Sequence, residues 1–228
     1  MKIDRHGKAK ILSQTEIQLL FSQGLQTERD RCLFAVALFS ACRINEACTL
    51  LTQDVYDTKR RVRPNLLIRK ANTKGQLETR TIPIIEDLRS ILITYQPVAG
   101  AVYLFPGRFN DGHINPDSAA RILRKAAHQV GIEGASTHSF RRTALTQMSN
   151  AGIPLRVIAA YSGHRDLSQL SAYLEVRDEQ ILGAAATLSM LSPIIGQVGK
   201  HDFPDLHHYW LSYSNGKILV GKAQKLIN

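Results

Sequence analysis

The 228-residue chain has no apolar run longer than Cys32 to Phe39, which is too short to span a bilayer. Its start, Met-Lys-Ile-Asp-Arg-His, lacks the apolar stretch of a signal peptide, so a soluble cytoplasmic protein without a membrane partner is expected. Cysteine is scarce and odd in number. Cys32, Cys42 and Cys48 lie in a helical, mostly apolar region without metal-ligand spacing, which favours reduced core thiols over a disulfide or a zinc site. Acidic residues are in deficit, 19 against 29 lysines and arginines, and no cluster of Asp and Glu suits Mg²⁺, so neither a metal nor another cofactor is expected. Internal repeats are absent too. The length allows one sizeable core, or one domain with an appendage, and would cramp two full domains.

The net charge of +10 and a pI near 9.7 favour a polyanionic partner such as nucleic acid over an acidic small molecule. Along the chain, Ser13 followed by Glu16 has the form of a capping box and Gly24 supplies a stop, so Thr15 to Gln23 reads as a helix with Ile17, Leu20 and Phe21 inward. A second helix is expected from Glu28 to Ala41, apolar on every face and therefore buried. A shorter one follows around Ile44 to Leu50. Asn65 to Lys70 and Glu78 to Ile84 are β-prone and flank Ala71-Asn-Thr-Lys-Gly75, a hairpin with Lys74 near its turn. From Pro116 the pattern is helical again, over Asp117 to Val130, His138 to Ala151, Pro154 to Tyr161, a short segment around Tyr173, and Arg177 to Ser189.

The composition turns irregular after Pro193. Tyr209 to Tyr213 and Lys217 to Val220 then flank Ser214-Asn215-Gly216, and Asn-Gly is a strong hairpin signal. The expected class is therefore α+β, mainly helical, with residues 1–190 as the main domain and 191–228 as a tail with a β-hairpin. Trp210 and Tyr213 of that tail suit packing against their own domain more readily than a ligand.

Several polar residues sit where a bland role and a chemical one compete. Arg141 shares a helical face with Ala144, Leu145 and Met148, whereas Arg142 points away. A guanidinium on an apolar face requires an anion, either a buried carboxylate or a phosphate oxygen. Arg43 closes the buried second helix, where a cation favours the helix dipole, and Glu46 stands three residues on as an i to i+3 partner. His164 follows Gly163 at the end of a helix where glycine often takes the position after the cap. Tyr173 is one of seven tyrosines and could be a core aromatic, and Lys74 could be a solvated turn lysine with Lys70 as its competitor.

Taken in order, Ala41-Cys-Arg43-Ile-Asn-Glu46-Ala47, Thr73-Lys74-Gly75, His138-Ser-Phe-Arg141, Gly163-His164 and, nine residues on, Tyr173 resemble the tyrosine recombinases, the phage-integrase family, from about Ser13 to about Ser189. The resemblance implies an integrase-type catalytic domain acting on double-stranded DNA as a homo-tetramer, without metal or ATP. It implies that Arg43 and Arg141 clamp the scissile phosphate, a task suited to the planar fork of arginine. His164 would bond the phosphate and pack the nucleophile's helix, and Glu46 would orient the site. Tyr173 would be the nucleophile and His138 its proton acceptor. Lys74, which matches the family's hairpin lysine better than Lys70, would protonate the leaving oxygen. Most relatives carry a separate DNA-binding domain first, whereas only 42 residues precede Arg43 here, an extent similar to the fimbrial-switch invertases or to a fragment of a longer integrase. A type IB topoisomerase-like nicking enzyme and a DNA-binding protein with residual catalysis are the alternatives.

Overall fold

The computed structural model describes residues 9–72, 79–108, 112–171, 178–186, 209–214 and 217–222. The expected class holds: most elements are helices, and the strands form two small antiparallel pairs. The chain divides into two compact units, Met1–Ile181 and Leu182–Asn228. No helix among the described residues is long and apolar enough to cross a membrane.

Helix α1, Gln14–Leu19, begins at the anticipated capping box: Ser13 Oγ accepts from the Glu16 N–H, and the Glu16 carboxylate accepts from the Ser13 N–H. It continues as a π-helical turn, Leu20–Gly24. Helix α2, Glu28–Phe39, is the centre of the core. Cys32 to Ala37 are all buried, consistent with a segment apolar on every side, and α2 packs against α4 (Glu86–Tyr95) and α6 (Thr137–Asn150). Phe34 of α2 stacks on Phe140 of α6 with ring centroids 5.2 Å apart, and Phe21 meets the same ring edge-on at 6.4 Å. Helix α2 ends two residues before the expected Ala41. The Ser40 hydroxyl donates back to the Val36 carbonyl, and Ala41 takes a left-handed φ of 49°, which stops the helix.

Helix α3 follows at Ile44–Cys48 and packs on α5, Pro116–Gln129. Strands β1, Asn65–Ile68, and β2, Arg80–Pro83, pair antiparallel with Asn65 opposite Pro83 and Ile68 opposite Arg80. Strand β1 is shorter than expected because a 3₁₀ turn occupies Lys70–Asn72, and residues 73–78, which include Lys74 and the expected start of the second strand, lie outside the described residues. The base of this hairpin is fixed by Arg69, whose guanidinium donates two hydrogen bonds of 2.6 and 2.7 Å to the buried Asp54 carboxylate. Helix α4 has no counterpart among the elements expected from the sequence. Its β-branched Ile91, Ile93 and Thr94 mask a helical signal that Leu88, Leu92 and Tyr95 supply by burying one face.

Helices α7, Leu155–Ser162, and α8, Leu167–Ser171, complete a small second cluster in which Leu145, Ile158, Ala159, Leu170 and Ala41 are buried together. Helix α9 covers Asp178–Ala186. Strands β3, Tyr209–Ser214, and β4, Lys217–Lys222, pair with Ser214 opposite Lys217, and Asn215 and Gly216 lie outside the described residues, as do the side-chain environments of Trp210 and Tyr213.

The N-terminal segment is strapped to the back of α6. Arg142 turns away from the Arg141 face as expected, yet it is buried rather than solvated, and its guanidinium donates to the Ala9 carbonyl. One residue on, Thr143 Oγ1 accepts the Leu12 N–H at 2.8 Å in a buried setting. Thr143→Val keeps the shape and leaves that amide unpaired, so it should cost about 1–3 kcal/mol in urea denaturation. Thr94→Val on the exposed face of α4 should stay within about 0.5 kcal/mol. Equal effects of the two would show that the strap is not held through Thr143.

Candidate active site

Helix α6 presents Arg141 at 2% exposure toward the second cluster, with Ala144, Leu145 and Met148 on the same face as the periodicity requires. Its guanidinium donates to the Ala41 carbonyl at 2.6 Å and lies 3.1 Å from His164 Nε2. Both partners are uncharged, and no carboxylate pairs with Arg141 among the described residues. The left-handed turn at Ala41 is what delivers that carbonyl, a local strain of about 1–2 kcal/mol placed at the site. Burial first, then the nearby Arg43, lowers the Arg141 pKa to about 10, leaving it protonated at neutral pH.

Arg43 does not close α2. With that helix ending at Phe39, Arg43 is instead the N-cap residue of α3 in extended conformation, so the α2 dipole does not explain it. Glu46, at 1% exposure, accepts the Arg43 N–H at 2.8 Å and the Arg43 guanidinium at 3.3 Å. The anticipated i to i+3 pair is present. Its carboxylate is shared, because the same Oε2 also accepts from Arg80 of β2 at 2.8 Å.

Arg80 is the residue that sequence reasoning missed. Two guanidiniums, of Arg43 and Arg80, thus share one carboxylate, whose charge also acts on Arg141. The available signal was strand alternation: Arg80 and Ile82 share the buried face of β2 while Thr81 and Pro83 are exposed. A charged side chain on a strand's inner face requires a partner, and here it has Glu46 and the Tyr161 carbonyl, which accepts at 2.9 Å.

His164 hangs from the end of α7. Gly163 caps that helix with φ 72° and ψ 36°, the conformation in which glycine is favoured, and a Cβ there would lie 2.7 Å from Arg80 Nε. Two constraints therefore select glycine. The Ser162 hydroxyl donates its proton to the Ile158 carbonyl at 2.6 Å and lies 2.7 Å from His164 Nδ1, while the Arg141 guanidinium lies 3.1 Å from Nε2 and 3.3 Å from Nδ1. Burial first, then Arg141, Arg43 and Arg80, lowers the His164 pKa from 6.5 to about 4, so the ring is neutral at pH 7.

The remaining predicted residues are placed unevenly. His138 is exposed on the first turn of α6, three residues before Arg141. Lys74 and Tyr173 lie outside the described residues, Tyr173 two positions after the end of α8. Tyr161 is occupied elsewhere, its hydroxyl donating to the Phe39 carbonyl at 2.5 Å, and burial raises its pKa. The cysteines are free thiols, and burial raises the Cys42 pKa to about 11 and that of Cys48 to about 12, which keeps them unreactive. Among the described residues, no group of three or more His, Cys, Asp or Glu side chains could hold a metal ion.

The lowered pKa of His164 makes native stability depend on pH. As pH falls below 6.5 the unfolded chain takes up this proton first, so the contribution is complete above 6.5, shrinks toward about 4 and levels off below that. His164→Gln removes the titration. The melting temperature of the wild type should therefore fall more steeply than that of His164→Gln between pH 6.5 and 4, as read by calorimetry. Parallel curves would refute the lowered His164 pKa that burial first, and the three arginines second, impose.

Residues 10–180 match the phage integrase family. The tyrosine recombinase of Pseudothermotoga lettingae is 28% identical over 173 residues, which are 74% of this chain and 57% of that protein, so the chain spans little more than half the length of such a relative. XerA of Pyrococcus furiosus is 27% identical over 172 residues with the same coverage, 74% and 57%. The crystal structure of XerH site-specific recombinase bound to difH substrate shares the fold at a TM-score of 0.62 and 17% identity, covering 81% of this chain and 55% of that one. With three quarters of its length matched and the arginine, glutamate and histidine positions gathered at one place, the chain belongs to the phage integrase family.

Proposed function

We propose that this chain is the catalytic part of a site-specific DNA recombinase, with residues 1–190 as the catalytic domain and 191–228 as an appended tail. It cuts and rejoins double-stranded DNA through a 3′-phosphotyrosyl intermediate, as a tetramer on DNA in the cytoplasm. The observation that carries the reading is the charge imbalance at the site. Arg43 and Arg80 share Glu46, and Arg141, nearly fully buried, is met among the described residues by a carbonyl and a neutral imidazole and by no carboxylate. Such a cluster is favourable when a further anion enters it. A phosphodiester supplies that anion, and XerH, of the same fold, has been seen bound to its difH substrate.

The chemistry follows from two obstacles: a phosphodiester repels nucleophiles, and its alkoxide leaves poorly. Arg43 and Arg141 bind the non-bridging oxygens and neutralise charge as it builds, a task that needs donors held in place beforehand. Tyr173, a phenol of a type whose free pKa is about 10, passes its proton to His138 and attacks phosphorus in line. The bond from phosphorus to the 5′-oxygen breaks, and Lys74 gives that oxygen a proton. The phosphotyrosyl bond retains the energy of the broken one, so a 5′-hydroxyl of another strand reverses the step without ATP. An anion among the guanidiniums also offsets the repulsion that, after burial, keeps His164 neutral, so DNA binding favours a proton on its ring and a second donor toward the phosphate. The matched relatives are recombinases, which supports strand exchange over simple nicking and resealing.

Tyr173→Phe should abolish SDS-resistant attachment to nicked DNA while binding changes little, because only the nucleophilic oxygen is lost. Tyr161→Phe should retain attachment and lose about 0.5–1.5 kcal/mol of stability with its hydrogen bond to Phe39. Normal adduct formation by Tyr173→Phe would end the assignment.

Lys74 is tested by the leaving group. Lys74→Ala should cleave ordinary DNA very slowly, whereas a substrate with sulfur at the bridging 5′ position, whose thiol has a pKa of about 8.5, leaves unaided and restores cleavage. Arg141→Ala should gain nothing from sulfur. Rescue of Lys70→Ala in place of Lys74→Ala would move the general acid four residues back along the hairpin.

A further inference from the structure

Arg80 is a buried charge to which the chemistry above gives no task. It is 8% exposed, it lies on the inner face of β2, and each of its terminal nitrogens is engaged within the protein: one donates to Glu46 at 2.8 Å and the other to the Tyr161 carbonyl at 2.9 Å. Its Nε and Cζ lie so close beneath Gly163 that a Cβ there would approach them to 2.7 and 2.9 Å. Each contact governs a neighbour with a task at the site. Glu46 Oε2 holds the Arg43 main chain as well as Arg80, while its Oε1 holds the Arg43 guanidinium. The Tyr161 carbonyl belongs to the last turn of α7, where carbonyls lack partners within the helix, and that turn leads through Gly163 to His164.

From this geometry we infer that Arg80 is a positioning residue for the proposed DNA cleavage, a single guanidinium that sets Arg43 through Glu46 and His164 through the end of α7. Because it rests on the proposed recombinase reading, its consequences for rate depend on that reading, and its consequences for the free protein do not. The planar fork is essential: its two nitrogens reach acceptors on different elements, 34 and 81 residues away in sequence, with fixed spacing. A lysine supplies the same charge from one point and cannot span both. Arg80 also adjoins the hairpin that carries Lys74, six residues before it, so the base of that hairpin and the phosphate-binding residues share one anchor.

Arg80→Gln and Arg80→Lys separate positioning from general stability. Both should lower the single-turnover rate constant for covalent attachment to nicked DNA by ~10- to 100-fold, as expected for small misplacement of reacting groups, with DNA affinity within ~3-fold. The free protein provides a readout that a merely structural role would not move, the NMR titration of His164. The cations acting on that ring are Arg141 of α6, Arg43 at the start of α3 and Arg80 of β2, with Glu46 of α3 as the shared counter-charge, and Arg165 and Asp166 follow it in the chain. Loss of one cation in Arg80→Gln should raise the His164 pKa from about 4, whereas Arg80→Lys should keep it near the wild-type value while remaining slow. Cleavage at the wild-type rate by Arg80→Gln, or a defect confined to DNA affinity, would overturn the inference, as would an unmoved His164 titration. If Arg80→Gln fails to fold, Arg80→Lys decides between the two outcomes, and full activity of that variant sinks the idea. Failure of the wild type itself to form an adduct would bring down the recombinase reading and the catalytic role of Arg80 together. A wild-type adduct with an unimpaired Arg80→Gln removes only the latter.

Discussion

The site depends on one carboxylate held out of water. Glu46 is almost wholly buried, and an ionised carboxylate in that position is tolerable only because the Arg43 main chain, the Arg43 guanidinium and the Arg80 guanidinium all donate to it. In return it allows two cations to sit side by side, and through Arg80 it joins α3, β2 and the end of α7. Removing the carboxylate would leave the cations facing one another. Removing either arginine would leave an underpaired buried charge.

The scaffold beneath is arranged so that α2 and α6 cannot shift independently. Phe34 stacks on Phe140 one residue before Arg141, and Arg141 itself reaches back to the Ala41 carbonyl just past the end of α2. The left-handed turn at Ala41 links the two: it ends the helix, turns its carbonyl toward Arg141 and lets the chain re-enter α3 with Arg43 at the cap. A strained non-glycine residue at this point fits a pattern in which local cost is borne where chemistry is to occur. On the other side of α6, Arg142 and Thr143 hold the N-terminal strap, so the helix is fixed from both faces.

The electrostatics of the free protein describe a site prepared for an anion. Arg141 and His164 both lose proton affinity, burial being the main cause for each and the neighbouring guanidiniums the second. Each shift would diminish if a negative group entered, so anion binding and protonation of His164 favour one another. Charge that destabilises the site by itself thereby becomes affinity for an anion.

Much of this was legible in the sequence because much of it is local. The Arg43 and Glu46 pair, the placement of Arg141 on an apolar helical face, the Ser13 capping box and the glycine cap before His164 are all decided by residues within one or two turns of each other, where helical periodicity and capping chemistry operate. Helix α4 escaped because its β-branched residues obscure a face that only the core of α2 makes necessary. The early end of α2, and with it the true setting of Arg43, was set by Ala41 adopting a conformation its own side chain disfavours. Strand alternation could mark Arg80 as facing inward, but not what it meets, since its partners Glu46 and Tyr161 are remote along the chain and reach it only when the β1–β2 hairpin, α3 and α7 converge. The sequence by itself therefore determined which groups the chain would bring and on which local faces they would stand. Tertiary structure alone decided which of them share one carboxylate, because a long-range ion pair is specified by folded distance and burial, and neither is written in any local pattern.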